Sequence, residues 1–414
     1  MAPFPVEKLR QLFPALERSN GFTFFDNAAG AQVPQIVLDA VNEHLVMHNV
    51  QRGGRYAKSQ AVDTMIAAAR ETVAMFLNAR SPDEVAFGMN ATSFLRIVSL
   101  AMTESLRNRP EIVVTDLDHE ANIAVWLALE RFGAKVRWWH MREGGRLHPE
   151  DLDALLGEKT RLVACTVASN ALGSIVDVPE VARRAHAVGA ELLLDAVHYG
   201  PHGIFDVQAW GCDYLVCSGY KIFAPHMGFL WGRRESLAEL STFCEEFIPG
   251  VAPAKIEAGT FVYENVAGMQ AAIAYLESIG SEQPPRAENQ SRRAALVRGM
   301  EAVRAYEASL SAALLNELAS IPGVTVYGIR DPALVRYRVP TVCFNLKDRS
   351  PAEVCQQLAN EGIGVRDGHM YAPRLMDRLG LSRDTGAVRA SLVHYNTHAE
   401  IHRFAVSIRR MASS

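Results

Sequence analysis

No stretch of the chain reaches the roughly 18 consecutive apolar residues needed to cross a membrane. The opening MAPFPVEKLRQLFPALERS has no apolar core of signal-peptide type. The expected compartment is therefore the cytoplasm. Basic charge is not in excess: 42 Lys and Arg face 46 Asp and Glu, a formal net charge of -4. That balance argues against a dedicated nucleic-acid binder, which carries a basic face. Cysteine is sparse. The six residues, Cys165, Cys212, Cys217, Cys244, Cys343 and Cys355, form no CxxC pair and no His/Cys metal pattern, so neither a redox pair nor a bound metal is expected. Five of them sit in apolar or mixed runs and read as reduced, buried thiols. Internal repeats of 20–50 residues and low-complexity tracts are absent too, which excludes a solenoid.

What is present is an ordinary globular composition, 49% hydrophobic and 21% charged, in 414 residues. That length exceeds one compact core. It predicts two domains, or one large α/β domain with an appendage. From about residue 35 to 280, short apolar runs alternate with helical patterns. EIVVTDL (111–117), RLVACTV (161–167), AELLLDA (190–196), DYLVCSG (213–219) and MGFLWG (227–232) read as buried strands. ANIAVWLALERFG (121–133) and VPEVARRAHAVG (178–189) read as helices. Strands apolar on both faces predict a mostly parallel central sheet sandwiched by helices. SEQPPRAENQ (281–290), with its paired prolines, is a composition break. A long helix is expected over 291–320, then strands and helices in another rhythm: VTVYGI, TVCFNL, PAEVCQQLANEG, IGVRDG and AVRASLV. The expected division is a large domain over 21–280, a smaller α+β C-terminal domain over 281–414, and residues 1–20 packing on the smaller one.

Two strand ends carry the chemistry. Asp195 closes the apolar run in LLLDAVHYG, and Lys221 follows another in DYLVCSGYKIFAPHMG, 26 residues on. In parallel α/β sheets the ligand sits outside the carboxyl ends of the strands. A carboxylate and an amine at two such ends can share one pocket. Alone, each is a common strand-end charge. Together they match what pyridoxal phosphate (PLP) needs: a lysine that holds the cofactor as a Schiff base, and a carboxylate that pairs with the protonated pyridine nitrogen. Desolvation lowers the pKa of such a lysine and makes it a usable nucleophile and base.

Over residues 22–397 the chain resembles the class V aminotransferase family of fold-type I PLP-dependent enzymes, and within it the cysteine desulfurase-like branch. FFDNAAGAQVP, DHEAN, TVASNALGSIVDV, LLLDAVHYGPHG, SGYK, EAGT and VRASLVHYNT carry the likeness. The resemblance implies Lys221 as the Schiff-base lysine, Asp195 as the pyridine partner and His119 stacked on the cofactor ring. It places His198 and Asn170 beside the cofactor's phenolic oxygen. The phosphate falls to NATSF (90–94), through Ala91 and Thr92, and to Ser218. Thr260 is implied to reach the phosphate of a partner subunit's cofactor, hence a homodimer with shared active sites. Arg389 is implied to grip the substrate's α-carboxylate, for which a planar guanidinium is suited.

The sequence departs from that branch at one telling loop. Desulfurases carry a nucleophilic cysteine in a loop reading like R-x-G-H-H-C-A. This chain has VRDGHMYAP, in which Arg366, Gly368, His369 and Ala372 keep the frame and Tyr371 stands at the cysteine position. A phenol, with an ordinary pKa of about 10, is a poor substitute for a thiolate. Arg366, His369, Tyr371 and Arg55 of RGGRYAKS (52–59) are candidates to line the substrate pocket. The expected function is a PLP enzyme on an amino-acid-like substrate without persulfide chemistry, with C–S β-elimination favoured. Transamination or epimerisation, the latter with Tyr371 or His369 as a second acid, is the alternative. A PLP-fold protein that only binds partners is the alternative of another class, and the retained Lys221 and Asp195 argue against it.

Overall fold

A computed structural model describes residues 3–281 and 291–413. The expected composition break falls on 281–290, of which 282–290 lie outside the described residues. The larger sheet has seven strands in the spatial order Val85–Gly88, Gly228–Gly232, Tyr214–Ser218, Glu191–Asp195, Thr160–Thr166, Glu111–Thr115 and Lys135–Trp139. All pair in parallel except Gly228–Gly232, which runs antiparallel to both neighbours. Strand residues alternate between two cores, as a sheet covered on both faces requires. Val113, Val163, Cys165, Leu192 and Leu194 enter one, with residues of the long helices Ala57–Leu77 and Tyr263–Ser281. Ile112, Val114, Leu162, Ala164 and Leu193 enter the other, with Phe94, Leu95, Ile123 and Trp126. Fully burying one such leucine contributes roughly 1.5–3 kcal/mol. A protein-wide fold of this kind is α/β.

Two strands escaped the sequence reading, Val85–Gly88 and Lys135–Trp139; both are edges of the sheet. The helix expected over 121–133 is α-helical only through Leu127. It then tightens to a 3-10 turn over Ala128–Phe132, ended by Gly133 at φ 94. That left-handed value closes the turn at little cost for glycine.

The second sheet is antiparallel: Arg366–Gly368, Ala387–Ser391, Thr341–Leu346 and Val324–Tyr327, in that order. Helices Arg292–Ala319, Pro351–Asn360 and His398–Ala412 pack on it through Leu310, Leu314, Leu318, Val354, Leu358, Phe404 and Ile408. Residues near the amino terminus touch both parts. Thr23 and Phe24 pair with Ile363 and Gly364, and Arg10 donates to the Tyr395 carbonyl at 2.6 Å. Phe13 is wedged edge-on against Phe223, Tyr275 and Tyr395. No described helix is long and apolar enough to cross a membrane.

Candidate active site

The parallel strands end on one side of the sheet, at Thr166, Asp195 and Ser218. A cavity lies there, lined by Ala91, Thr92, His119, Asn170, Asp195, His198, Ser218, Tyr220 and Lys221, among others. Nine of the residues singled out in the sequence meet at or beside it. Eight of them, Ala91, Thr92, His119, Asn170, Asp195, His198, Ser218 and Lys221, line the wall. The ninth, Arg389, lies behind Asn170, donating to its carbonyl at 2.9 Å.

Lys221 closes a short 3-10 turn directly after its strand, and only 5% of it is exposed. Desolvation, and then the Arg389 guanidinium, lower its pKa to about 8, against the opposing pull of Asp195. Asp195 is also buried. Its Oδ1 accepts the Val197 amide at 3.0 Å. Burial raises its pKa, and that hydrogen bond and Lys221 pull it back.

His119 starts the turn into the Ala121–Leu127 helix, and its Nδ1 accepts the Ala121 amide at 3.1 Å. Desolvation, with Lys221 and Arg389 nearby, lowers its pKa to about 4. The ring is therefore neutral near pH 7 with its proton on Nε2, since Nδ1 is an acceptor. The adjoining Asp118 is buried and tied to Thr115 and Asn122. Desolvation raises its pKa to about 7.

Ala91 and Thr92 open the Ala91–Ala101 helix, which is capped by Asn90 through a reciprocal bond with Ser93. Ala91 N donates to Ser218 Oγ at 3.0 Å and Ser93 N to Asn90 Oδ1 at 2.9 Å, leaving the Ser218 hydroxyl proton and the Thr92 amide for an anion. Gly228 makes this approach possible: a Cβ there would lie 2.6 Å from the Asn90 Cα.

The wall fits PLP on the structure's own terms. Asn170 Oδ1 and His198 Nδ1 are buried without a protein partner. Buried polar atoms of that kind call for a ligand or water. A lysine, a carboxylate, a flat imidazole and a helix start together match the groups of a phosphorylated pyridine aldehyde.

Other sequence candidates lie outside the cavity wall. Tyr371 is exposed, its ring stacked 5.7 Å from that of His119, and its carbonyl accepts the Glu120 amide at 2.8 Å. His369 is exposed, and its Nδ1 accepts the Tyr371 amide at 3.0 Å. Arg366 pairs with Asp26 at 2.8 Å. Thr260 and Arg55 sit on exposed loops, Thr260 bonded to Gln51 at 3.3 Å.

Asp26 was missed, although FFDNAAG contains it. Its two oxygens hold Arg389 at 2.9 Å and Arg366 at 2.8 Å. Arg389 is 2% exposed, so Asp26 is its counter-ion. Asp26→Asn removes that charge and loosens the guanidinium. The expected result is a KM for the amino-acid substrate raised by on the order of tenfold, with a smaller change in kcat and unchanged cofactor absorbance. Steady-state kinetics check it, and an unaltered KM would remove Asp26 from the site.

Fold and wall define the class: a PLP-dependent enzyme built on a mostly parallel sheet with a cavity at the strand ends. The aminotransferase class-V family model matches residues 23–298 and 296–404. The chain belongs to that family, and it is a PLP-dependent enzyme related to cysteine desulfurases and aminotransferase-like proteins. It is 36% identical over 418 residues, 98% of each chain, to the aminotransferase-like protein FGM3 of Gibberella zeae. It is 34% identical to a cysteine desulfurase of Enterobacter sp., covering 99% of this chain and 98% of that one. Among solved structures, the apo cysteine desulfurase of Thermococcus onnurineus NA1 superposes with a TM-score of 0.87 at 26% identity, covering 100% of this chain and 99% of that one. The cysteine desulfurase CsdA of Escherichia coli gives 0.84 at 25%, covering 99% of each.

Proposed function

We propose that the protein catalyses C–S β-elimination on a cysteine-like amino acid and forms no persulfide on the enzyme, as a member of the desulfurase-like branch without the nucleophilic cysteine. The observation that carries this is that none of the six cysteines lines the cavity. Cys343, nearest to Arg389 in register, is fully buried, and desolvation pushes its thiol up to about 12. Cys355 is buried as well, and its thiol is raised too. The loop position of the desulfurase cysteine carries Tyr371, which is exposed.

Bound PLP supplies an electron sink for the pair left at Cα when a proton departs. In this reading Arg389 and Asn170 orient the amino acid, and Lys221 Nζ takes the Cα proton. Asp195 would keep a negative charge against the pyridine nitrogen, and Ala91, Thr92 and Ser218 would hold the phosphate. His119 would flank the ring, and His198 would meet its oxygen. Arg366, His369 and Tyr371 would meet the substrate side chain at the cavity rim, and the Tyr371 O–H would protonate the leaving sulfur. The Cβ–S bond breaks with its electron pair on sulfur. Cysteine and water then balance as pyruvate, ammonia and sulfide.

The same reading makes the protein a homodimer with Thr260 and Arg55 completing the partner's site. Phe243, Phe247, Val251, Val46, Tyr56 and Met89 are exposed apolar side chains of the kind a partner subunit covers. The experiment is to add L-cysteine, L-cystine and L-alanine in turn to the PLP-loaded protein, recording its spectrum and assaying sulfide, pyruvate and ammonia. Pyruvate together with sulfide from cysteine is the expected result. Conversion to an amine-form spectrum without those products would put transamination in its place.

A further inference from the structure

Thr341 brings the second sheet into contact with His198 of the cofactor wall. It opens the strand Thr341–Leu346 and is fully buried, and its Oγ1 lies 3.0 Å from His198 Nε2, across 143 residues of sequence. The SNALGS turn holds it in place. Val339 N donates to the Gly173 carbonyl, and a Cβ on Gly173 would lie 2.7 Å from the Thr341 carbonyl. Only a glycine there, at φ 77, lets the two segments touch.

Proton counting then fixes the histidine. His198 is 3% exposed, and burial together with Lys221 and His202 drives its pKa well below the ordinary value. It is neutral and carries one ring proton. Were that proton on Nε2, two buried groups would go unmet: the Thr341 hydroxyl proton and the Nδ1 lone pair. With the hydroxyl donating to Nε2, only the Nδ1 N–H lacks a partner, and Nδ1 is the atom left unpaired. An unmet buried polar group is costly, so the second arrangement wins.

We propose that Thr341 is a positioning residue: its hydroxyl fixes the His198 proton on Nδ1, so that His198 presents an N–H donor to the ring oxygen of bound PLP. This rests on the reading of His198 as a cofactor contact. The consequence is that the C-terminal sheet tunes the cofactor indirectly, through the Thr341 hydroxyl acting on His198.

The test uses Thr341→Val, close in shape and lacking the hydroxyl, and Thr341→Ser, which restores it, with His198→Ala alongside. Each cofactor-free protein is titrated with PLP, and each loaded protein is followed spectrally across pH. Thr341→Val is expected to weaken PLP binding about tenfold and to shift the midpoint of the visible-band transition by about one pH unit. Thr341→Ser is expected to match the parent in both, which a merely structural role for the methyl group would not explain. If Thr341→Val behaves as the parent while His198→Ala does not, the Thr341 proposal fails alone. If His198→Ala also behaves as the parent, the assignment of His198 fails, and the proposal with it.

Discussion

Lys221→Ala is expected to abolish the visible imine absorbance, roughly at 420 nm, that added PLP gives the parent protein. Turnover should fall by on the order of a thousandfold or more, because in the proposed mechanism one group supplies both the covalent link and the Cα base. No neighbour can replace it. Lys255, another buried lysine, is committed to the Ala238 and Leu240 carbonyls at 3.0 and 2.9 Å and does not line the cavity. The lowered pKa sharpens the prediction. Only the neutral amine attacks an aldehyde. At pH 7 an amine of pKa about 8 is about one-tenth neutral, roughly three hundredfold more than at the ordinary 10.5. Stopped-flow capture of PLP by the cofactor-free protein should therefore speed up about tenfold per pH unit below 8 and level off above it. A rate still climbing past pH 9 would show that burial does not lower this amine. Absorbance retained in Lys221→Ala would overturn the central assignment.

Much of this site was legible because its residues terminate apolar strands. Asp195 and Lys221 follow runs buried on both faces, and such runs read clearly in sequence whatever the topology. Direction was harder. Gly228–Gly232 looks like its parallel neighbours, since two-faced burial leaves the same pattern either way. The clue lay in the connection: residues 219–227 are too few for the crossover of a dozen or more that a parallel return needs. The strand Lys135–Trp139 was missed because it is an edge, where Lys135 and Arg137 break the apolar run. Asp26 was missed for another reason. Its counter-ion role exists only once the 23–26 segment pairs across to Ser391, more than 360 residues away. Thr341 hid in TVCFNL as one more β-branched residue. A hydroxyl's purpose depends on what faces it, and sequence does not say. Tyr371 was visible as a substitution, but its stacking on His119 was not. That contact depends on two consecutive left-handed residues, Met370 at φ 52 and Tyr371 at φ 57. Non-glycine residues adopt that conformation at a cost, offset here by bonds donated by Asn170 and Glu120 to the Met370 and Tyr371 carbonyls and by the Tyr371 amide donating to His369.

Asp195→Asn separates cofactor capture from chemistry. Asparagine keeps the oxygen that accepts the Val197 amide, so the strand end is held as before. What disappears is a buried negative charge at the cavity floor. Capture by Lys221 should survive, and it should become easier. Asp195 is one of the groups holding the Lys221 pKa up against burial and Arg389. Without it, that pKa drops further below about 8, so the plateau in capture rate moves to lower pH. Turnover should move the other way, falling by on the order of a hundred- to a thousandfold. A preorganised charge in a water-poor site is worth that much to a developing opposite charge. The opposed shifts are what make the test decisive. A variant that merely disturbs the fold would slow both steps. A carboxylate with no role toward the pyridine nitrogen would alter capture and leave kcat unchanged, and that result would remove Asp195 from the mechanism.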